Sequence, residues 1–219
     1  MKTDVLIIGA GPAGIFTALE MIRRGSRKKI VLVEKGRAVE KRHCPKSETK
    51  KCLNCKPYCH ITSGFSGAGA FSDGKLSLSA EVGGDLPELI GMERAQELID
   101  YTDKIYLDFG ADEHVEGREA TDEVKEIRRR AIQAGLKLVD CPIRHLGTEK
   151  AQELYLAIQN HLAANGVDIL FNTLCTDLVI KDGVCRGARL ENSSGVIDVE
   201  ADNTVIAAGR GGADWLENQ

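Results

Sequence analysis

The sequence predicts an α/β chain: a parallel sheet with crossover helices, followed by a small antiparallel β-meander. Three observations carry this. An apolar run, a glycine turn, a helical stretch and a second apolar run follow one another from residue 3 to residue 33. Five short apolar segments with turn signals between them close the chain, from Val167 to Ala208. Between these two regions lie mainly helical patterns.

The elements follow in order. Thr3–Ile8 is apolar and β-branched, the mark of a buried strand. Pro12–Arg24 reads as a helix, with Pro12 in its first turn and Gly25 as its stop. Ile30–Val33 is a second buried strand, so the order implies a right-handed parallel crossover. Lys35 to Ser79 holds no periodic element, which in a compact domain marks a segment ordered by function. Pro87–Phe109 and Ala120–Ala134 read as helices, the second with Arg128, Arg129 and Arg130 at its negative end. Leu136–Val139 reads as a short strand. Thr148 is expected to cap a helix running to Asn165, which Gly166 ends. Val167–Phe171, Leu178–Lys181, Cys185–Leu190, Val196–Glu200 and Thr204–Ala208 read as strands, with turns at Asp182-Gly183 and Ser194-Gly195. As domains, this gives residues 1–219 as one nucleotide-binding domain. A cysteine- and glycine-rich insertion occupies 36–79, and a mainly helical one 87–147.

Composition narrows the function. The 219 residues are 42% hydrophobic and 28% charged, values of a folded globular chain. The net charge of −4 argues against a general nucleic-acid binder. No run of 18 apolar residues exists, so no membrane span is expected. Asp4 and the glycines at 9, 11 and 14 argue against a signal peptide. Seven cysteines, an odd number with no secretion signal, favour a reducing cytoplasmic setting.

Gly9-Ala10-Gly11-Pro12-Ala13-Gly14 has the G-x-G-x-x-G form between a strand and a helix. Gly9 permits the tight turn, Gly11 lets backbone approach a pyrophosphate, and Gly14 lets helix and strand pack closely. The first turn of the helix, with Pro12 and Ala13, then offers free N–H groups to phosphates. Glu34 ends the second strand 20 residues after Gly14, placed to accept bonds from a ribose. An acid there favours a free 2′-hydroxyl. The bland alternative is a glycine turn with a solvated glutamate. A single such fingerprint argues against a separate nicotinamide domain within this chain. The fold is therefore Rossmann-like.

The strand end Val33-Glu34-Lys35-Gly36-Arg37, with Gly14, Ala18 and Gly25, resembles the FAD-binding motif of glutathione-reductase-type flavoproteins. Thr204 to Arg210 resembles the strand those proteins place before a second FAD contact, which implicates Ala208 and Gly209. Val167–Ile180 resembles the strand and loop that reach the adenine, with Cys175 at the contacting position.

Cys44, Cys52, Cys55 and Cys59 are spaced C-x7-C-x2-C-x3-C. Four thiolates so close can complete a zinc site or hold an iron–sulfur cluster. A redox pair at Cys52 and Cys55, or inert thiols on a solvated loop, are the alternatives. His43 and His60 flank them as replacement ligands or ordinary loop histidines. Lys35–Lys56 carries eight basic residues and two acidic ones. That charge lowers thiol pKa and suits an acidic electron carrier or the cofactor phosphates. Cys141, Cys175 and Cys185 sit among apolar neighbours and read as buried.

Ser63 to Leu76 is rich in small residues, so its backbone can lie against a flat ring. Gly67 and Gly69 would face the ring, and Asp73 and Lys75 its polar edge. A flexible glycine turn is the alternative. This segment resembles the G-G-A-G-x-F-S-D-G-K-L signature of a family known as uncharacterised FAD-dependent dehydrogenases. The cysteine loop, Pro142–Thr148 and Ala208–Trp215 resemble that family too. Ser66 stands where the family more often has glycine.

The resemblance implies an FAD-dependent oxidoreductase that passes hydride or electrons through the flavin. Its partner would be a small-molecule substrate or an electron carrier. It implies no catalytic acid or base by name. Arg144 and His145 read either as substrate or flavin groups or as a structural loop pair. Proteins of this type are roughly twice as long, two-domain chains, and close the FAD site with a C-terminal segment. An incomplete FAD-binding domain is therefore expected, one that needs a missing segment or a C-terminal partner chain. A non-catalytic FAD-binding fragment and a cysteine-ligated metal redox protein are the rival readings.

Overall fold

A computed structural model describes residues 1–72 and 74–219, without the Thr148 side chain. The expected contact of Asp73 and the expected Thr148 cap therefore lie outside the described residues. The chain divides into two compact units, Met1–Phe71 with Tyr155–Gln219, and Ser72–Leu154.

The first unit is built on β1 (Lys2–Ile8), α1 (Pro12–Arg23) and β2 (Ile30–Val33). After β2 come only short pieces, a 3₁₀ turn at Val39–Lys41, α2 (Lys46–Thr49) and a 3₁₀ turn at Gly69–Phe71. The long aperiodic stretch expected there is present. In chain order the second unit then supplies β3 (Lys75–Ser77), α3 (Leu86–Ile90), α4 (Met92–Asp108), α5 (Asp122–Gln133) and β4 (Ile143–His145). Helix α6 (Thr148–Ala164) leads back to β5 (Val167–Leu170). Strands β6 (Leu174–Lys181), β7 (Val184–Asn192) and β8 (Gly195–Ile206) and helix α7 (Ala213–Glu217) complete the chain.

The six-stranded sheet has the order β5-β2-β1-β8-β7-β6. Strands β5, β2, β1 and β8 are parallel neighbours, and β8, β7 and β6 form an antiparallel meander. Val5–Ile8 of β1 and the whole of β2 are buried on both faces, which is why they read as unbroken apolar runs. Alternation sorts them. Leu6, Ile8, Val31 and Val33 join Ala188, Leu190, Val199 and Ala201 in one core layer. Helix α1 buries Gly14, Ile15, Ala18 and Leu19, a stripe at helical spacing.

Two expected strands at Val196–Glu200 and Thr204–Ala208 are one continuous strand. The polar run Asp202-Asn203 reads as a break. In the structure β8 passes through it from the meander to the parallel sheet. Gly187 to Asn192 pair its first half, and Lys2 to Ile8 its second.

In the second unit, β3 and β4 form a two-stranded antiparallel sheet. The single helix expected at Pro87–Phe109 is broken by Gly91, whose φ of 85° a helix cannot hold. Thr121 caps α5, accepting the Val124 N–H at 3.3 Å. Leu136–Val139 is not a strand. Leu136 is exposed there, and the pairing falls to Ile143–His145.

Arg144 is buried and donates Nε and Nη2 to the Asp103 carboxylate at 2.6 and 2.7 Å. Nη1 donates to the Asp112 carbonyl. That pair raises the Arg144 pKa still further. Arg144 thus ties α4 to β4, the structural of its two expected roles. His145 stands on β4 opposite Lys75.

Candidate functional site

The glycine turn divides its labour among three residues. Gly9 has φ 104°, and a Cβ there would lie 2.4 Å from the Ala207 carbonyl oxygen. A Cβ at Gly14 would lie 1.9 Å from the Gly9 oxygen, so helix α1 closes on the turn only because both are glycine. Gly11 differs. Its φ is −76°, and a Cβ there meets nothing within 4 Å. Its bare side faces open space at the start of α1, beside Pro12 and Ala13, where the first N–H groups of the helix lack partners.

Glu34 follows β2 and is buried. Its Oε2 accepts the Ala10 N–H at 3.0 Å, and its Oε1 accepts those of Gly36 and Gly64 at 2.8 and 2.9 Å. One carboxylate thus joins the glycine turn, the strand end and the second glycine loop. A carboxylate has about four acceptor positions, so one on Oε2 remains for a ligand hydroxyl.

A cavity of 430 Å³ opens at the carboxyl ends of β1, β2 and β8, where open α/β sheets place ligands. Gly9, Glu34, Lys35, Cys175 and Ala208 converge on it from four separated segments. Burial pushes the Cys175 thiol up to about 12, so it is an uncharged wall. Sequence reasoning missed Thr173, Thr176 and Trp215, which also line this cavity. Trp215 donates its indole N–H to the Thr176 carbonyl at 2.7 Å. Its place at the end of the family-like stretch Ala208–Trp215, as the single tryptophan, was the signal available.

The remaining predicted residues lie elsewhere. Gly67, with φ 58°, is the other wall of the Gly11 opening: its Cβ would stand 4.0 Å from the Gly11 Cα. Gly69 packs on Tyr155, and Gly209 turns the chain after β8 with φ 60°. Arg37 lines a second cavity, and Lys75 lies on β3 of the other unit. Ser66 holds φ 71°, a left-handed conformation that explains the preference for glycine there. Its hydroxyl compensates by accepting the Ala70 N–H at 2.9 Å.

Sequence patterns gave no signal for Arg42. It is buried and donates to the carbonyls of His60, Ile61 and Phe65. Burial draws its pKa down to about 10 against the opposing pull of Glu34 and Cys59. It staples the loop that carries Gly64 to Glu34.

Cys44, Cys52, Cys55 and Cys59 line one small cavity of 130 Å³. Among the described residues, no three His, Cys, Asp or Glu side chains are grouped to hold a metal ion. All seven cysteines are free thiols. N–H groups of Ile61 and Thr62 lower the pKa of Cys59.

A family model described as FAD binding domain matches residues 89–219, more than half of the chain. The chain belongs to the FAD binding domain family. A second FAD binding domain model matches residues 2–51, the glycine turn and Glu34 included.

An uncharacterised protein of Clostridium beijerinckii is 39% identical to this FAD binding domain over 77 residues, 35% of this chain and 14% of that protein. Among solved structures, 3-ketosteroid-Δ4-(5α)-dehydrogenase from Rhodococcus jostii matches 94% of this chain and 45% of its own, at 15% identity and TM-score 0.56. Glycine oxidase from Bacillus cereus matches 99% and 58%, at 19% identity and TM-score 0.53. L-amino acid deaminase from Proteus vulgaris matches 95% and 47%, at 17% identity and TM-score 0.51. The chain thus spans about half the length of these structures, and they share its fold. No helix among the described residues is long and apolar enough to cross a membrane.

Proposed function

We propose that this chain is the cofactor-holding part of an FAD-dependent oxidoreductase of the glutathione-reductase type. One observation carries the reading: Gly9, Glu34, Lys35, Cys175 and Ala208 meet on a single cavity at the carboxyl ends of the parallel strands. When bound, FAD supplies hydride and electron transfer.

The residues fit it. Gly11 leaves its backbone bare, and the start of α1 offers N–H groups to a pyrophosphate. Glu34 holds the turn in shape with three N–H bonds and keeps an acceptor position for a ribose hydroxyl. Cys175, Leu174 and Trp215 give the cavity an apolar wall for a base. Gly67 keeps the space over Gly11 free of a side chain. The substrate is a small molecule or an electron carrier. Completion of the site by a further segment or partner chain belongs to the same reading, as does a reducing cytoplasm, which suits seven free thiols.

The test is the absorption spectrum of the anaerobically purified chain before and after denaturation. Flavin bands that are released as free FAD are expected. Gly11→Ala, whose methyl enters the open space, is expected to lose them. Unchanged flavin content in that variant would falsify the placement of the phosphates.

A further inference from the structure

A second cavity of 340 Å³ lies in the same unit and shares Lys35 and Leu174 with the first. Its walls come from Lys35–Arg37, the Lys56–Ser63 loop, Asn172 and the Glu191–Ser193 turn.

These walls are tied together. Asn172, in the left-handed region at φ 50°, donates its N–H to the Gly36 carbonyl at 2.8 Å. A Cβ at Gly36 would lie 2.3 Å from the Gly64 nitrogen. Phe65 donates its N–H to the Arg37 carbonyl at 3.0 Å. The Lys35 ammonium sits 5.1 Å from the centre of the Tyr58 ring. Burial, with Glu191 and Glu34, raises the Tyr58 pKa, which keeps its hydroxyl a neutral donor.

The charge here is one-sided. Lys35, Arg37 and Lys56 line the cavity against one carboxylate, Glu191. Among the described residues none of the three joins an ion pair, and the Lys35 ammonium donates to the Gly211 carbonyl at 3.4 Å. Arg37 and Lys56 are exposed cations on one concavity, with the Lys35 ammonium beside them. A concave, single-sign surface focuses its field on what enters.

We infer that this cavity binds a small polyvalent anion, a phosphate ester or a polycarboxylate that also carries a hydrogen-bond donor. The Arg37 fork and the Lys56 ammonium meet the anion, and the Tyr58 hydroxyl donates to it. Glu191 accepts from the donor group. The volume suits a ligand of metabolite size. The site borders the cofactor cavity, sharing Lys35 and Leu174 with it, and Arg37 belongs to the strand end that resembles the FAD motif, so the test must separate the two readings.

The experiment is nuclear magnetic resonance of the whole chain at low salt, titrated with inorganic phosphate and separately with citrate. Amides of Lys35–Arg37, Tyr58 and Glu191–Ser193 are expected to shift to saturation. The stronger of the two probes identifies the class. Arg37→Gln with Lys56→Gln is expected to weaken binding about tenfold, as for loss of charge-assisted contacts. Glu191→Gln, which removes the carboxylate that lines the cavity, is expected to tighten it several-fold, and this arm does not depend on the folding of the double variant. The same shifts are expected in Gly11→Ala, so failure of the cofactor reading leaves them intact. Shifts confined to Gly11–Gly14, or scattered over exposed lysines, overturn the inference. So does equal affinity across wild type, the double variant and Glu191→Gln.

Discussion

Glu34 accepts the N–H of Gly64 at 2.9 Å across 30 residues of chain. The same carboxylate holds Ala10 and Gly36, so the acid that ends β2 is a structural hub as well as a ribose candidate. Glu34→Gln keeps one acceptor oxygen but turns an amide N–H₂ toward a backbone donor. A loss of about 2 kcal/mol is expected from the broken charge-assisted bonds. Glu34→Ala, which leaves three N–H groups unmet, is expected to lose about 4 kcal/mol. Urea unfolding measures both. An unchanged midpoint in Glu34→Ala would show that the three bonds are not held in solution.

Gly14 and Gly11 part company in stability. Gly14→Ala drives a methyl to 1.9 Å from the Gly9 oxygen, so α1 must move off the sheet. About 3 kcal/mol is the expected cost of such overpacking. Gly11→Ala meets open space at an ordinary φ and is expected within about 0.5 kcal/mol of wild type. Thermal unfolding of the two cofactor-free variants decides. Equal losses would mean that Gly11 is packed after all.

The parallel core was legible because β1 and β2 are apolar on both faces, and the glycine turn because its three glycines do three distinct steric jobs. Strand β8 was not, since Asp202-Asn203 carries the polar signal of a turn while remaining in register with β1. Gly91 was read as an ordinary helical residue although its φ is positive. At the cavity, Glu34 was legible because it ends a strand 20 residues after Gly14, while Cys175 followed from the resemblance of Val167–Ile180 to an adenine-reaching segment. Arg42 and Trp215 were not. Their roles rest on long-range partners, the His60 and Phe65 carbonyls and the Thr176 carbonyl, which leave no local periodicity.

In the second unit, Asp103→Ala strands the Arg144 guanidinium, which is 2% exposed, without its carboxylate. Breaking a buried pair from one side costs about 3–5 kcal/mol. Hydrogen exchange is expected to quicken in α4 and β4, while Leu6 and Ile7 amides keep their protection. Uniform change in both units would mean that the two unfold as one.

Cys175 sets a pH dependence. Its thiol is pushed up to about 12 in the folded chain, from an ordinary value of 9.0. Between those values the unfolded chain has lost a proton that the folded chain keeps. Stability must therefore fall as pH rises above 9, and the contribution is fully present below it. Wild type minus Cys175→Ala isolates the term from other titrating groups. A difference that stays flat from pH 8 to pH 11 would contradict the burial of this thiol.

Trp215 offers a direct reading of cavity occupancy. It is the single tryptophan, it lines the cavity with Glu34, Cys175 and Ala208, and its indole is fixed by the bond to Thr176. An adenosine entering that cavity must touch the ring, and a flavin on the same molecule can accept its excitation energy. Titration with FAD is thus expected to quench the emission to saturation. Riboflavin, which lacks the pyrophosphate and adenosine, is expected to leave it nearly unchanged. Gly11→Ala is expected to abolish the FAD response without altering the emission of the free chain. Quenching by riboflavin as strong as by FAD would place the ring system itself beside Trp215, and so reverse the direction of the cofactor along the sheet.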